Sequence, residues 1–256
     1  MFDWQELTLF LYILARISGF ILFNPILNRS NAPGLFRAGF ILVLSVFVSS
    51  TVTQTVPVPV GIMEFAIRIL LELLLGFVLG VIVNFFLYIP QLAGQMIDTQ
   101  MGMTMNQIYD AASHASLSVT ATFLNALMIL LFFAANGHHT MFRIVLTSGT
   151  IIPFGAVSFD ISLLVNALLE LFAECTVLAI KLCLPILGVE LLGQLGMGIL
   201  MKAIPQINVF SINLELKILI GLIFLLLLIA PVSEFLLQAE MTMLNSLERV
   251  LHLAGS

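Results

Sequence analysis

Long apolar runs follow one another along almost the whole chain, and no other feature of the sequence constrains the fold as strongly. A helix needs about 20 apolar residues to cross the hydrocarbon core of a bilayer. Prolines and polar patches divide the sequence into runs of about this length, at residues 7–23, 35–56, 62–89, 117–135, 161–184, 186–204, 214–230 and 232–253. The pattern predicts an all-α fold of polytopic membrane helices, with an amphipathic last helix.

Charged residues are too few to surround a water-soluble core. The chain of 256 residues is 61% hydrophobic and 9% charged, whereas a soluble domain averages about 25% charged residues. Lipid or other protein must therefore cover much of the surface. The net charge of −5 and the lack of a basic cluster also exclude nucleic-acid binding, because phosphate contacts need several Lys or Arg residues on one face.

The sequence contains no motif for catalysis, a metal or a cofactor. It has no GxSxG, no HExxH and no glycine-rich nucleotide loop. A membrane aspartyl enzyme built from Asp98 and Asp110 is the remaining enzymatic alternative. His138 and His139 are adjacent, so on a helix they would point about 100° apart and could not chelate one ion. We expect one domain over 1–256, with no enzyme activity, metal or cofactor.

Three charged residues lie in one row of the third apolar run. Glu64, Arg68 and Glu72 are spaced at i, i+4 and i+8, so they share one face of a helix. Charges at membrane depth cost a few kcal/mol each, and we expect these three to pair with each other and to face protein or water. The row continues to Gly76 and Gly80, a GxxxG step that lets a second helix approach closely. A proton or ion relay is the alternative.

Further polar faces lie within other apolar runs. Their members are Arg16, the set Glu170, Glu174 and Lys181, and the set Glu190, Gln194 and Gly198. The spacing within each set places its residues on one side of a helix. These faces indicate helix contacts beyond lipid.

The segment after Pro90 is the most polar in the chain, and we expect the third helix to end at this proline. Four of the 12 methionines lie in it, namely Met96, Met101, Met103 and Met105. Methionine is unbranched and soft, so it can seal against irregular or changing surfaces. Polar backbone at membrane depth is tolerated only where protein buries it or where it lines a wet cavity. The sequence is compatible both with a re-entrant or plugging loop and with an ordinary extramembrane loop.

Two strings of residues point to a family. They are Ala93-Gly94-Gln95-Met96-Ile97-Asp98-Thr99-Gln100-Met101-Gly102 and Ile204-Pro205-Gln206-Ile207-Asn208-Val209-Phe210. The order and spacing of other residues agree with them, namely Arg16, Pro25, Pro33, Arg37 and the row of Glu72, Gly76 and Gly80. Over essentially its whole length the chain resembles the FliR family of flagellar export-gate proteins, called SctT in injectisomes.

The resemblance implies an assembly and a location. The helices would form broken hairpins that pack with FliP- and FliQ-like partners in a helical export gate, and a FliP-like part would meet a FliQ-like part near residue 200. One copy would complete a FliP/FliQ/FliR channel for unfolded flagellar proteins and would contact FlhB. The chain would be a multi-pass protein of the bacterial inner membrane at the flagellar basal body, in contact with lipid. A secondary transporter or solute channel of the inner membrane is the alternative.

The resemblance also assigns roles to residues. The stretch from Met101 to Ser118 would plug the closed pore, and its gating residues would be Met101, Met103, Met105, Asn106, Tyr109 and Asp110. Hydrogen bonds at the base of the plug would come from Gln95, Asp98 and Gln100, because buried polar groups need partners. Subunit packing would involve Arg16, Glu64, Arg68, Glu72, Gly76, Gly80, Pro205, Gln206 and Asn208.

Overall fold

The computed structural model describes residues 4–27, 33–52, 56, 59, 61–103, 109–110, 115–116, 118–157, 160–203 and 209–254. These residues form eight α-helices and one short antiparallel ladder. The helices are α1 (Trp4–Phe23), α2 (Gly34–Thr51), α3 (Ile62–Met101), α4 (Val119–Ala134), α5 (Gly137–Ile151), α6 (Ile161–Ala203), α7 (Val209–Leu227) and α8 (Ile229–Ala254). The ladder pairs β1 (Tyr109–Asp110) with β2 (Ala115–Ser116). The described residues confirm the all-α fold class.

Four helices, α1, α2, α3 and α6, are long and apolar enough to cross a membrane. Two bent pairs, α4 with α5 and α7 with α8, pass the same test together, so the described residues supply up to six spans. The prediction of a polytopic membrane protein is confirmed. α3 has 40 residues and α6 has 43. At 1.5 Å per residue each is roughly 60 Å long, twice the thickness of the hydrocarbon layer, so neither matches a single upright crossing.

The chain divides into two compact units, and neither is a continuous part of the sequence. The first comprises Met1–Phe86, Asn136–Phe172 and Glu240–Ser256. The second comprises Leu87–Ala135 and Ala173–Ala239. Three of the four boundaries fall inside α3, α6 and α8, and the fourth falls between α4 and α5. The expected junction of a FliP-like and a FliQ-like part near residue 200 stays a prediction.

Glycines bring α1 and α3 together in the first unit. A Cβ atom added at Gly76 would collide with the carbonyl oxygen of Arg16 and would lie 2.7 Å from the backbone nitrogen of Phe20. A Cβ atom added at Gly19 would collide with the carbonyl oxygen of Leu73. The close helix approach that the GxxxG spacing predicts therefore occurs, and the second helix belongs to the same chain.

The buried side of α1 follows helical spacing. Its members are Thr8, Leu9, Tyr12, Ile13, Ala15, Arg16, Ile17, Gly19, Phe20 and Ile21. Residues three and four apart share a face of a helix, and most members of this face are apolar. Arg16 is its charged member and is 1% exposed. The fold therefore has to supply that guanidinium with acceptors from neighbouring elements.

α3 continues through Pro90 to Met101, so the predicted end of the helix at Pro90 is wrong. Proline lacks a backbone N–H and removes one hydrogen bond from a helix. Its neighbours Ile89 and Ala93 are fully buried, and packing on both sides of the proline stabilises the continuous helix. The residues from Gln91 to Met101 therefore lie on a helix, and the candidate loop begins only after them.

The break between α4 and α5 is short, because only Ala135 and Asn136 separate the two helices. Asn136 adopts φ 59°, in the left-handed region, which asparagine enters more readily than most residues. α5 begins at the next residue, so His138 and His139 lie in its first turn with ring centroids 4.2 Å apart.

Asp160 caps the start of α6. Its carboxylate accepts hydrogen bonds from the hydroxyl group and N–H of Ser162, at 2.7 and 3.0 Å, and from the N–H of Leu163 at 3.3 Å. The Ser162 hydroxyl, followed by these N–H groups, holds the pKa of Asp160 below its usual value. The cap is therefore charged at neutral pH, as suits the positive end of a helix dipole.

Substitution of Gly76 by alanine should destabilise the first unit. The added Cβ would collide with the backbone of α1, which cannot rotate away, and overpacking of this kind costs about 1–3 kcal/mol. The melting temperature of the purified protein in detergent should fall by several degrees. Gly39→Ala is the matched control, because a Cβ there meets no atom of the described residues. Equal melting temperatures for the two variants would contradict the close crossing.

Candidate functional site

Arg16 of α1 and Glu72 of α3 form a buried ion pair in the first unit. Arg16 Nε lies 2.6 Å from Glu72 Oε2, and the side chains are 1% and 0% exposed. Arg16 Nη2 also donates to Glu72 Oε1 at 3.1 Å, so the pair is bidentate, which is the strongest geometry for arginine and a carboxylate. The guanidinium carbon lies 4.3 Å from the centre of the Phe154 ring, a cation–π contact.

Neighbouring groups satisfy the rest of this pair. Arg16 Nη1 donates to Ser148 Oγ at 3.1 Å, and both terminal nitrogens donate to the carbonyl oxygen of Ile152, at 3.1 and 3.2 Å. The N–H of Gly155 donates to Glu72 Oε1 at 2.7 Å. A buried ion pair is tolerated only when such additional hydrogen bonds satisfy it. We call these contacts the Arg16 network, and they join α1, α3, α5 and the turn after α5.

A second ion pair lies one turn before Glu72 on α3. Arg68 Nη2 is 2.6 Å from Glu64 Oε1, and both side chains are partly exposed, at 29% and 41%. The expected pairing within the row is confirmed for these two residues. It is wrong for Glu72, which pairs with Arg16 of α1. Spacing in the sequence shows which residues share a face, but it does not show which residue of another helix lies opposite.

The turn after α5 contacts both ion pairs through one glycine. Gly155 has φ 78°, a conformation that favours glycine. Its N–H donates to Glu72 and its carbonyl oxygen accepts from Arg68 at 3.0 Å. A Cβ at this position would lie 2.7 Å from the ring of Tyr12. No motif in the sequence singles out Gly155, and the string Pro153-Phe154-Gly155 signals only a turn.

Asp98 connects the end of α3 to the start of α4 in the second unit. Ser118 Oγ donates to Asp98 Oδ2 at 2.6 Å, and the N–H of Thr120 donates to the same oxygen at 3.2 Å. Ser118 Oγ also accepts from the N–H of Ala121 at 3.2 Å, so it caps α4. We call this the Asp98 clamp. It holds together the two ends of the intervening segment.

The three residues expected at the base of the plug differ in their surroundings. Asp98 is 1% exposed and carries the clamp. Gln95 is exposed, and its backbone carbonyl oxygen accepts a hydrogen bond from the hydroxyl group of Thr99. Gln100 is half-buried. Neither glutamine side chain makes a hydrogen bond to another described residue that would hold the segment in place. Their assignment to a plug stays a prediction.

The residues expected in the plug itself are only partly described. Met101 ends α3 and is 1% exposed, and Met103 is half-buried. The backbone of Tyr109 and Asp110 pairs with that of 115–116. Met105 and Asn106 lie outside the described residues. The gating role of all six stays a prediction.

The residues expected in subunit packing fall into two groups. Six are described in the first unit, and they are Arg16, Glu64, Arg68, Glu72, Gly76 and Gly80. Gly80 follows the same pattern as Gly76, since a Cβ there would lie 3.0 Å from the Cβ of Phe23. Contacts within the chain account for these residues, and their use between subunits stays a prediction. Pro205, Gln206 and Asn208 lie outside the described residues.

The described part of the chain offers no cluster of three or more His, Cys, Asp or Glu side chains that could hold a metal ion. Its buried charged groups Arg16, Glu72 and Asp98 instead form hydrogen bonds between different elements. What these contacts can do is fix the positions of helix ends and turns.

Comparison with known proteins gives a consistent result. The chain matches the family described as "Bacterial export proteins, family 1" over residues 7–243. It is similar to the flagellar biosynthetic protein FliR of Bacillus subtilis (strain 168), at 26% identity over 96% of this chain and 95% of the relative. The protein of the same name from Escherichia coli (strain K12) is 27% identical over 90% and 88%. That from Aquifex aeolicus (strain VF5) is 30% identical over 83% and 81%.

Loss of Glu72 should be far more damaging than loss of Glu64. Glu72→Ala leaves Arg16 buried without its carboxylate, a change that costs about 3–5 kcal/mol, whereas a partly exposed pair contributes about 0–1 kcal/mol. Melting in detergent should show a large fall for Glu72→Ala and little change for Glu64→Ala. The double variant Arg16→Met/Glu72→Leu should recover much of the loss, because it buries no charge. No recovery would mean that the charges themselves are required.

Loss of the Asp98 carboxylate should loosen the start of α4. Asp98→Ala leaves the Ser118 hydroxyl group and the Thr120 N–H without their acceptor, which costs about 1–3 kcal/mol. Hydrogen exchange at residues 119–122 should become faster, and Asp98→Asn should have a smaller effect because its amide oxygen can still accept. Thr99→Ala is the neighbouring control, because the exposed hydroxyl group of Thr99 donates to the carbonyl oxygen of Gln95 on the same helix. Unchanged exchange in Asp98→Ala would contradict the clamp.

Proposed function

The chain belongs to the bacterial export proteins, family 1, and to the FliR proteins within it, and on this premise we propose that it is a core subunit of the flagellar type III export gate. It is a multi-pass protein of the bacterial inner membrane with a role in flagellar protein export. In our proposal one copy completes a channel with FliP and FliQ homologues and contacts an FlhB homologue. Unfolded flagellar proteins pass through that channel.

The Asp98 clamp is the observation that carries the proposal. It bonds the last turn of α3 to the first turn of α4. The segment from Met101 to Ser118 therefore begins and ends at the same place in the fold. Gly94 lets α3 and α4 approach closely at this base, because a Cβ there would collide with the backbone of Ala121. A segment tied at both ends can be displaced from a pore and can return to it without loss of its position.

The composition of the segment suits a seal that must open around varied side chains. Met101, Met103 and Met105 are soft enough to close against irregular surfaces. We assign gating to these three residues together with Asn106, Tyr109 and Asp110. No covalent step is needed in this mechanism, since the segment acts by occupying space.

Exposed apolar surface supports the proposed assembly. The part of α6 beyond Pro185 exposes Leu191, Leu192, Leu195 and Ile199 to between 54% and 73%. α6 is also roughly twice as long as an upright crossing requires. Lipid alone cannot cover both ends of such a helix, whereas partner subunits can. FliP and FliQ homologues are the partners we propose for this surface.

Deletion of Thr104–Ser113 tests the plug. The assembled complex should become permeable, because the atoms that fill the pore are gone. Uptake of a small membrane-impermeant dye should rise in cells that carry the variant, and FliP and FliQ homologues should still copurify with it in stoichiometric amounts. A chain with the same ten positions replaced by Gly and Ser separates loss of the seal from loss of length.

An equally tight membrane, with assembly verified by copurification, would contradict the plug. Purification of a lone chain that transports a solute would contradict the export gate as a whole.

A further inference from the structure

One side of α6 in the second unit carries a continuous stripe of accessible residues. They recur at alternating spacings of three and four, and they are Glu174, Val177, Lys181, Leu184, Gly188, Leu191 and Leu195. Six of the seven are exposed, and Gly188 is half-buried. A period of 3.5 residues is the one at which two helices pack side by side along their length. We call this set the α6 stripe, and it is about 30 Å long.

Two charges of opposite sign lie on the α6 stripe. Glu174 and Lys181 are seven residues apart, which is about 10 Å along the helix axis. They form no ion pair with each other or with another residue in the described ranges. Both lie in a helix that is apolar enough to cross a membrane. Because a charge that faces lipid tails is costly, these two groups favour a protein surface with complementary charges.

Gly188 leaves space at the middle of the stripe. A Cβ atom added there meets no atom of a neighbouring element within 4 Å, so packing among the described residues gives no reason for a glycine. Glycine destabilises the interior of a helix relative to alanine, whereas small residues let a second membrane helix approach closely. Leu184 and Leu191 lie one turn to either side and are 58% and 54% exposed. The stripe therefore has the shape of one half of a helix–helix contact.

A pocket of about 180 Å³ opens beside Lys181, between α6 and the break at which α7 meets α8. Leu182, Ile186 and Val232 form its apolar floor and are buried. Protein interfaces depend most on bulky side chains that one partner inserts into pockets of the other. The pocket is therefore an anchor point next to the stripe.

We propose that the α6 stripe is the docking site for one α-helix of another subunit of the export gate. That helix is apolar, presents a cation opposite Glu174 and a carboxylate opposite Lys181, and inserts a bulky apolar side chain into the pocket. Lipid tails cannot neutralise either charge, and large side chains alone would suffice for a face that only lipid covers. The inference rests on the proposed function, because it takes the occupant to be a gate subunit, and it adds how that subunit is recognised.

Photocrosslinking in cells tests the register of the docked helix. The light-activated residue p-benzoylphenylalanine replaces Val177, Leu184 or Leu191 in the full chain. The three positions should form adducts with one helix of one partner subunit, at sites about seven residues apart that run in one direction. Leu226 of α7 is the control, because it is equally exposed at 58% and lies off the stripe. Adducts with phospholipid, with a second copy of this chain, or scattered over several subunits would overturn the proposal.

A larger side chain at Gly188 tests the close approach. Gly188→Leu should reduce the amount of copurified partner about tenfold or more, because the added side chain fills the space that the docked helix needs. Gly196→Leu is the matched control, since a Cβ at either glycine meets no neighbouring element and only Gly188 lies on the stripe. Both variants should melt like the unmodified chain. Equal capture of the partner by the two variants would contradict the docking site, and if Gly188→Leu melts lower, the crosslinks decide.

Lys181 tests the charge pattern. Lys181→Glu places a carboxylate opposite the partner's carboxylate and should reduce capture about tenfold or more, whereas Lys181→Arg keeps the charge and should capture normally. Arg143→Glu is the control, because it makes the same change in charge at an exposed residue of α5. Capture by Lys181→Glu that equals capture by Lys181→Arg would overturn the proposed charge recognition.

The docking site and the proposed function fail in different ways. Copurification of FliP and FliQ homologues, together with crosslinks from the stripe to lipid, would remove the docking site and leave the export gate. An unmodified chain that captures neither homologue would remove the export gate itself.

Discussion

The buried ion pair of Arg16 and Glu72 is the interaction on which the first unit depends. A charge in apolar surroundings has no water to bind, so each of its hydrogen-bonding groups must find a partner in the protein. Arg16 meets this requirement through Glu72, Ser148 and Ile152. Because these partners lie on three different elements, the charge fixes the relative positions of those elements. The close crossing at Gly76 is what brings the pair within bonding distance.

The second unit uses the same principle on a smaller scale. Asp98 is buried and bonded to the first turn of α4, and one turn of α3 carries both this carboxylate and Met101. The positions of the two helix ends are therefore set by specific contacts and not by the length of the segment between them. In the proposed export gate, such a fixed base would return the seal to the same position each time it closes. Met101 lies against Gly221 of α7, beside the buried Glu190 of α6.

The apolar runs predicted most helices of the fold, since a membrane helix has to be apolar along its whole length whatever it contacts. Pro90 shows where this reasoning failed. A proline is a strong local signal for a helix end, but burial of Ile89 and Ala93 outweighs the loss of one hydrogen bond. The partner of Glu72 was also predicted wrongly, because residues on one helix face are known from spacing whereas the facing helix is not.

The sequence by itself determined that the chain is a multi-pass helical protein, and its two motif strings pointed to the FliR family, which the matches over most of the chain confirm. Both conclusions depend on local composition and on the order of residues. Only the tertiary structure decided that Glu72 pairs with Arg16, that Asp98 caps α4 through Ser118, and that Met101 packs on Gly221. These contacts join residues distant in sequence, and their geometry depends on how helices cross, which no spacing along one helix can specify.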